Sequence, residues 1–220
     1  WTLSSKAKST SHSLALEHSP ECFEELSWFA SYKKIRGKVI QMAAGEDSGV
    51  LKLYGTTIHS NSGGATLLKR NDMEDDNVSV RVEPLDEILE NEQLANTKIS
   101  IVKIDTEGFE GQVLAGARKM LCNNPPDILI LEVSPMFGDI TYLEDLWEIL
   151  SPNFDFFEMG EVGQVKRRAY LKKTDLNSTL VTPIQINLVV IRKSLVHKFN
   201  ALTKFPFLSK LFSPSKRPAQ

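Results

Sequence analysis

The chain has 220 residues, 41% hydrophobic and 25% charged, enough for a single globular domain with a sizeable core. A formal net charge of −2 excludes a nucleic-acid binder that works through bulk positive charge. Two cysteines, Cys22 and Cys122, form no CxxC and no Cys/His cluster, which fits reduced thiols in a cytosol-like compartment and offers neither a disulfide framework nor a zinc site.

Taken in chain order, the sequence shows no internal repeat and no apolar run near the roughly 20 residues of a membrane span. It starts at Trp1 without an initiator Met or a signal-peptide pattern, and WTLSSKAKS reads as the end of a helix, so a truncated N-terminus is expected. SLALE (13–17) predicts a short buried strand. Ser19 and Pro20 then give a helix start with proline at the first helical position, and Phe23, Leu26, Phe29 and Ala30 supply one apolar face. KVIQM (38–42) is the next strand, and Gly45, Asp47, Ser48 and Gly49 turn the chain. VLKLYG and VSVRVEPL alternate with period two, on either side of a long polar loop that carries His59.

ISIVKID (99–105) predicts a strand, and Val113, Leu114, Ala117 and Leu121 recur after it at helical spacing. DILILE (127–132) is a strongly apolar strand, Leu143, Leu146, Trp147 and Leu150 mark a helix, and FDFFEM and IQINLVVIR are two late strands. Strands that alternate with helices predict an α/β fold with a largely parallel sheet.

Three of these strands end on an acid: LALE, VKID and LILE. In an open α/β sheet, ligands sit outside the carboxyl ends of the strands, so Glu17, Asp105 and Glu132 should gather at one edge with Glu107 beside them. Acids accept hydrogen bonds from hydroxyls and stabilise a positive centre. They repel phosphates, which want backbone N–H groups and Lys or Arg. S-adenosylmethionine has a ribose diol, an ammonium and a sulfonium but no phosphate, and suits such an edge. The competing reading is local: an acid after a strand often caps the next helix, and for Glu110, already inside the helix, capping is the stronger reading.

VKIDTEGFEGQVLAGARKML…PPDILILEV resembles the FkbM-type methyltransferase family, with its I-D-x-E-G-x-E strand–helix junction and following L-E-V strand. LALEHSPECFEEL is similar to that family's acidic second-strand region, AAGEDSGVLKLY to its third-strand segment and SNSGGATL to a following loop. The resemblance covers about residues 1–192, which leaves 193–220 as a separate tail. It implies a Rossmann-like class I methyltransferase sheet, largely parallel with a late antiparallel strand and flanked by helices. It also implies S-adenosylmethionine as cofactor and O-methylation of a hydroxyl on a sugar, polyketide or other small metabolite. Carried over, Glu17 would bind the ribose hydroxyls, and Ala44, Gly45 and Glu46 would lie near the adenine. Asp105, Glu107 and, more weakly, Glu110 would line the methyl-transfer centre. Two departures stand out. The family's glycine-rich first-strand loop, D-x-G-A-N-x-G, is not present, so a central strand is expected to be missing, and His18 stands where the family commonly has proline.

For the chemistry, Asp105 is the first candidate to take the hydroxyl proton, Glu107 the second and the loop histidine His59 a distant third, with Glu132 a further contact at the substrate edge. Asp105, Glu107 and Glu132 offer oxygens that could hold a metal, but nothing in their spacing requires one. A GTPase reading of IVKIDTEG fails for want of G-x-x-x-x-G-K-[ST] and N-K-x-D segments. The remaining rival is a degenerate or truncated cofactor-fold domain that only binds a partner. In the tail, Arg192 to Gln220 contains lysines and arginines but no acid, and Val196, Phe199, Leu202 and Leu208 recur roughly at helical spacing, with Pro206 expected to break any single helix. Two expectations stay open there: residues 194–220 either touch an anionic membrane peripherally or fold back on a domain otherwise expected in the cytoplasm.

Overall fold

A computed structural model describes residues 12–55, 65–69, 75–133, 141–159, 165–168 and 186–197. The strands and helices expected between residues 13 and 192 are there, with the strands distributed over three sheets, whereas the helix end expected in WTLSSKAKS lies outside the described residues. Strand β1 (Ser13–Glu17) pairs in parallel with β2 (Gly37–Gln41). A second sheet holds β3 (Ala43–Gly45), β5 (Asp75–Pro84) and β4 (Gly49–Tyr54), in that order. The third runs β6 (Ile101–Ile104), β7 (Ile128–Val133), β10 (Ile186–Arg192), β8 (Phe154–Met159) and β9 (Val165–Arg168).

The expected sheet was largely parallel with one late antiparallel strand. The parallel pairs are β1–β2, β3–β5 and β6–β7, whereas β4–β5, β7–β10, β10–β8 and β8–β9 are antiparallel. Among the described residues β1 pairs only with β2, and β6 only with β7, so each keeps an open edge. Ile101, at the start of β6, is accordingly exposed.

Helix α1 (Pro20–Tyr32) starts as its Ser-Pro signature predicts: Ser19 is extended, with φ −72° and ψ 126°, and Pro20 begins the helix. It ends in a Schellman turn. Ile35 N–H donates to Ala30 O at 2.9 Å and Lys34 N–H to Ser31 O at 3.0 Å, with Lys34 at φ 52°. Helix α2 (Leu85–Asn91) and strands β3 and β9 had not been predicted; each is short, and the α2 pattern runs directly out of the β5 pattern.

The helical stretch after Asp105 divides into α3 (Glu110–Ala115) and α4 (Arg118–Asn123). A residue from elsewhere explains the break. Asp86 of α2 caps the start of α4, accepting from Lys119 N at 2.7 Å and Met120 N at 2.8 Å, while Gly116 O accepts from Asp86 N at 2.9 Å. Gly116 itself lies so close to β3 that a Cβ there would stand 1.8 Å from Gly45 O.

Period two in β7 produces two cores. Leu129, Leu131 and Val133 face the main one with Phe156, Leu188, Val190 and the buried leucines Leu143, Leu146 and Leu150 of α5 (Tyr142–Leu150). Ile128 and Ile130 face a smaller cluster of Phe157, Val189 and Ile191. Leu195 and Val196 pack on that smaller cluster, so the first turn of the tail folds back on the sheet. Residues 198–220 lie outside the described residues, and no helix among the described residues is long and apolar enough to cross a membrane.

Candidate active site

The strand–helix junction at residues 105–110 is built around a buried glutamate. Glu110 is 1% exposed, and its Oε1 accepts from Thr106 N (3.1 Å), Thr106 Oγ1 (3.1 Å) and Gly108 N (3.0 Å). A carboxylate at the first turn of α3 meets the helix dipole and at once satisfies the N–H groups of the turn that leads into the helix. The turn it anchors places Glu107 at φ 53° and Gly108 at φ 103°, a left-handed pair in which glycine is at ease and glutamate is not. Glu110 therefore faces its own turn and is not part of the cavity wall.

Asp105, Glu107 and Glu132 come together. Each offers an oxygen within 4.8 Å of the others. The register explains it: Ile104 of β6 stands opposite Leu131 of β7, so Asp105 and Glu132 leave neighbouring parallel strands at one level. Lys103, two residues before Asp105, forms an ion pair with it. Burial, the hydrogen bond with Asp105 and the charges of Asp105 and Glu107 push the Glu132 carboxyl up to about 9, against a partial offset from Lys103. Burial also raises Asp105, but the hydrogen bond from Glu132 and the contact with Lys103 outweigh it and hold Asp105 below the ordinary carboxylate range. At neutral pH the pair therefore holds one proton, on the Glu132 side. Such a set can donate and accept hydrogen bonds at once, and its oxygens also have the chemistry to hold a hard cation.

A cavity of about 700 Å³ opens beside this cluster, and Asp105 and Glu107 form part of its wall. Glu17 and His18, at the end of β1, form another part, and Leu26, Trp28 and Phe29 of α1 add an apolar side. Glu17 Oε1 accepts from Ser19 N at 2.9 Å and lies 3.5 Å from His18 Nδ1. Glu17 Oε2 has no protein partner among the described residues.

The predicted site residues therefore divide. Glu17, Asp105 and Glu107 share one cavity, and Glu132 backs Asp105. Ala44 and Gly45 are buried in β3, where a Cβ on Gly45 would meet Val82 Cγ1 at 2.5 Å; Glu46 is exposed, and none of the three lines the cavity. His59 lies outside the described residues. Sequence reasoning missed Cys22, Glu25, Trp28 and Ala65 as wall residues and Lys103 as the partner of Asp105. Lys103 could have been found, because a residue two before Asp105 on a strand shares its face.

The chain is thus an α/β protein with a ligand-sized cavity beside acids at the carboxyl ends of its strands β1 and β6. Residues 2–159 match the family model of the methyltransferase FkbM domain, and the chain belongs to the FkbM methyltransferase family. Comparison with curated proteins and with solved structures gave no match.

Proposed function

We propose that the protein is an S-adenosylmethionine-dependent O-methyltransferase acting on a hydroxyl of a sugar, polyketide or other small metabolite. The observation that carries this reading is the shared cavity, with Glu17 on one wall and Asp105 and Glu107 on another. The donor set fits the cofactor. Glu17 Oε2 can accept from ribose hydroxyls, and carboxylates favour a cationic centre over a phosphate. S-adenosylmethionine, when bound, supplies a methyl group on a positively charged sulfur.

The residues of the chain supply orientation and a proton acceptor. Asp105 is ionised at neutral pH and accepts the acceptor hydroxyl as a hydrogen-bond donor. A carboxylate held this low is a weak base toward an alcohol. It suffices because the oxygen becomes far more acidic as it gains a methyl group, so the proton leaves late. The neutral Glu132 carboxyl donates to Asp105 and fixes the direction of its free lone pairs, and Glu107 is a second acceptor beside it. Much of the acceleration then comes from holding the hydroxyl in line.

A second reading, a non-catalytic binding module, draws on one observation: among the described residues β1 and β6 carry the two acidic walls in separate sheets, each with an open edge. Isotopic methyl transfer from labelled S-adenosylmethionine to a panel of hydroxylated acceptors tests the choice. Cofactor binding by calorimetry with no transfer to any acceptor would favour the module, and absence of binding would remove the cofactor altogether.

A further inference from the structure

Thr66 belongs to the short described segment 65–69, away from every strand-end acid in sequence, yet it touches the junction that carries them. It is 0% exposed. Its backbone is fixed by an antiparallel bridge to Tyr54, with N–O distances of 2.9 and 3.0 Å in the two directions. Leu68 N–H donates to Thr66 Oγ1 at 3.1 Å, which leaves the hydroxyl hydrogen for the acceptor on its other side. That acceptor is the backbone carbonyl of Glu107, 3.1 Å away.

Glu107 needs such a hold. It is one of three described non-glycine residues with positive φ, and the other two, Lys34 and Gln93, sit at helix C-termini where the left-handed turn is satisfied by helix carbonyls. Glu107 has no helix before it. Its peptide is bracketed by Glu110, which accepts from Gly108 N, and by Thr66, which donates to Glu107 O. The two contacts grip opposite sides of one peptide unit, so together they fix its orientation. The preceding residue, Ala65, carries the hold to the other wall of the cavity, with its carbonyl 3.4 Å from His18 Nε2.

We propose that Thr66 is a positioning residue: its hydroxyl locks the Glu107–Gly108 peptide in the left-handed turn and thereby holds the Glu107 carboxylate in the cavity wall. The importance of Glu107 to the reaction rests on the methyltransferase reading; the lock itself does not. Thr66→Val keeps the branched shape and deletes the hydroxyl, and Thr66→Ser keeps the hydroxyl and deletes the methyl. Amide hydrogen exchange in the full chain should show Gly108 and Phe109 exchanging about fivefold faster or more in Thr66→Val, with β7 amides unchanged and Thr66→Ser close to wild type. Wild-type exchange at Gly108 and Phe109 in a folded valine variant overturns the proposal. So does equal loosening in the serine variant, which would assign the effect to the methyl group. Should the valine variant fail to fold, the serine variant decides by the same two amides. Calorimetry with S-adenosylmethionine on the same samples separates the two ideas: an unlocked turn in a protein that never binds the cofactor upholds the lock and sinks the cofactor reading.

Discussion

Asp105 and Glu132 form a hydrogen-bonded carboxyl pair across two neighbouring parallel strands, one member held acidic and the other pushed up to about 9. The pair is a consequence of register. With Ile104 opposite Leu131, Asp105 just past β6 and Glu132 near the end of β7 must stand side by side, and two adjacent carboxylates in a partly buried site cannot both ionise easily. Lys103 then selects which one does, by lying against Asp105.

The pair makes stability depend on pH with a defined sign. In the folded protein Glu132 keeps its proton from its ordinary 4.5 up to about 9, whereas in the unfolded chain it loses that proton at its ordinary 4.5 and is ionised over the rest of the window. The folded state thus binds more protons there, and the contribution of Glu132 to stability falls as pH rises toward 9. Asp105 acts in the opposite direction, but its contribution is lost only as pH falls below its ordinary 3.8. Glu132→Gln retains a donor to Asp105 without a titratable proton. Melting temperatures should therefore vary less between about pH 5 and pH 9 in the variant than in the wild type. Parallel curves for the two proteins would show that Glu132 is not the group responsible.

Asp105→Asn removes the ionised acceptor while keeping size and shape. Under the proposed reaction it should lower turnover by about 10² or more, with acceptor saturating. The substitution also leaves Lys103 without its carboxylate partner, so circular dichroism should accompany the kinetics. Near-normal turnover would reduce Asp105 to a structural partner of Lys103 and Glu132.

Under the proposed reading Glu17 has two roles that one pair of variants separates. Its Oε1 satisfies the buried Ser19 amide at the start of α1, and its Oε2, without a protein partner among the described residues, is the atom proposed to accept from the cofactor. Glu17→Gln preserves an acceptor for Ser19 but loses the charge, and Glu17→Ala loses both. Binding of S-adenosylmethionine should weaken by about 1.5–3 kcal/mol in the alanine variant, the scale of a charge-assisted hydrogen bond. The glutamine variant should retain the wild-type melting temperature. Unchanged calorimetric affinity in a folded alanine variant would take Glu17 out of the site.

Glu110 should matter for stability before it matters for anything else. Glu110→Ala leaves the Thr106 and Gly108 amides and the Thr106 hydroxyl without their acceptor in a buried turn. Unpaired buried donors cost about 1–3 kcal/mol each, so a loss of about 3 kcal/mol in urea unfolding is expected. A loss below about 1 kcal/mol would mean that water replaces the carboxylate.

By itself the sequence determined most of the longer strands and helices, though not the short α2, β3 and β9, because period-two alternation in residues 127–132 and helical spacing in 143–150 are local consequences of burying one face. The Ser-Pro start of α1 was equally legible, since proline sets its own φ. The gathering of Glu17, Asp105, Glu107 and Glu132 also followed from sequence, through the rule that parallel strands present their carboxyl ends together. What the tertiary structure decided depends on residues distant in the chain. Asp86 splits the helix after Gly116, an event invisible in a helical pattern because the capping group lies 33 residues from Lys119. The division of β1 and β6 between separate sheets depends on which edges find partners, not on the apolarity of either strand. Ala44 and Gly45 went to the core and not to the cavity because Phe109 and Val82 pack onto β3, a contact between elements that no local pattern encodes. Thr66 acquired its hold on Glu107 in the same way, since a hydroxyl in a loop announces nothing until folding brings a carbonyl 3.1 Å from it.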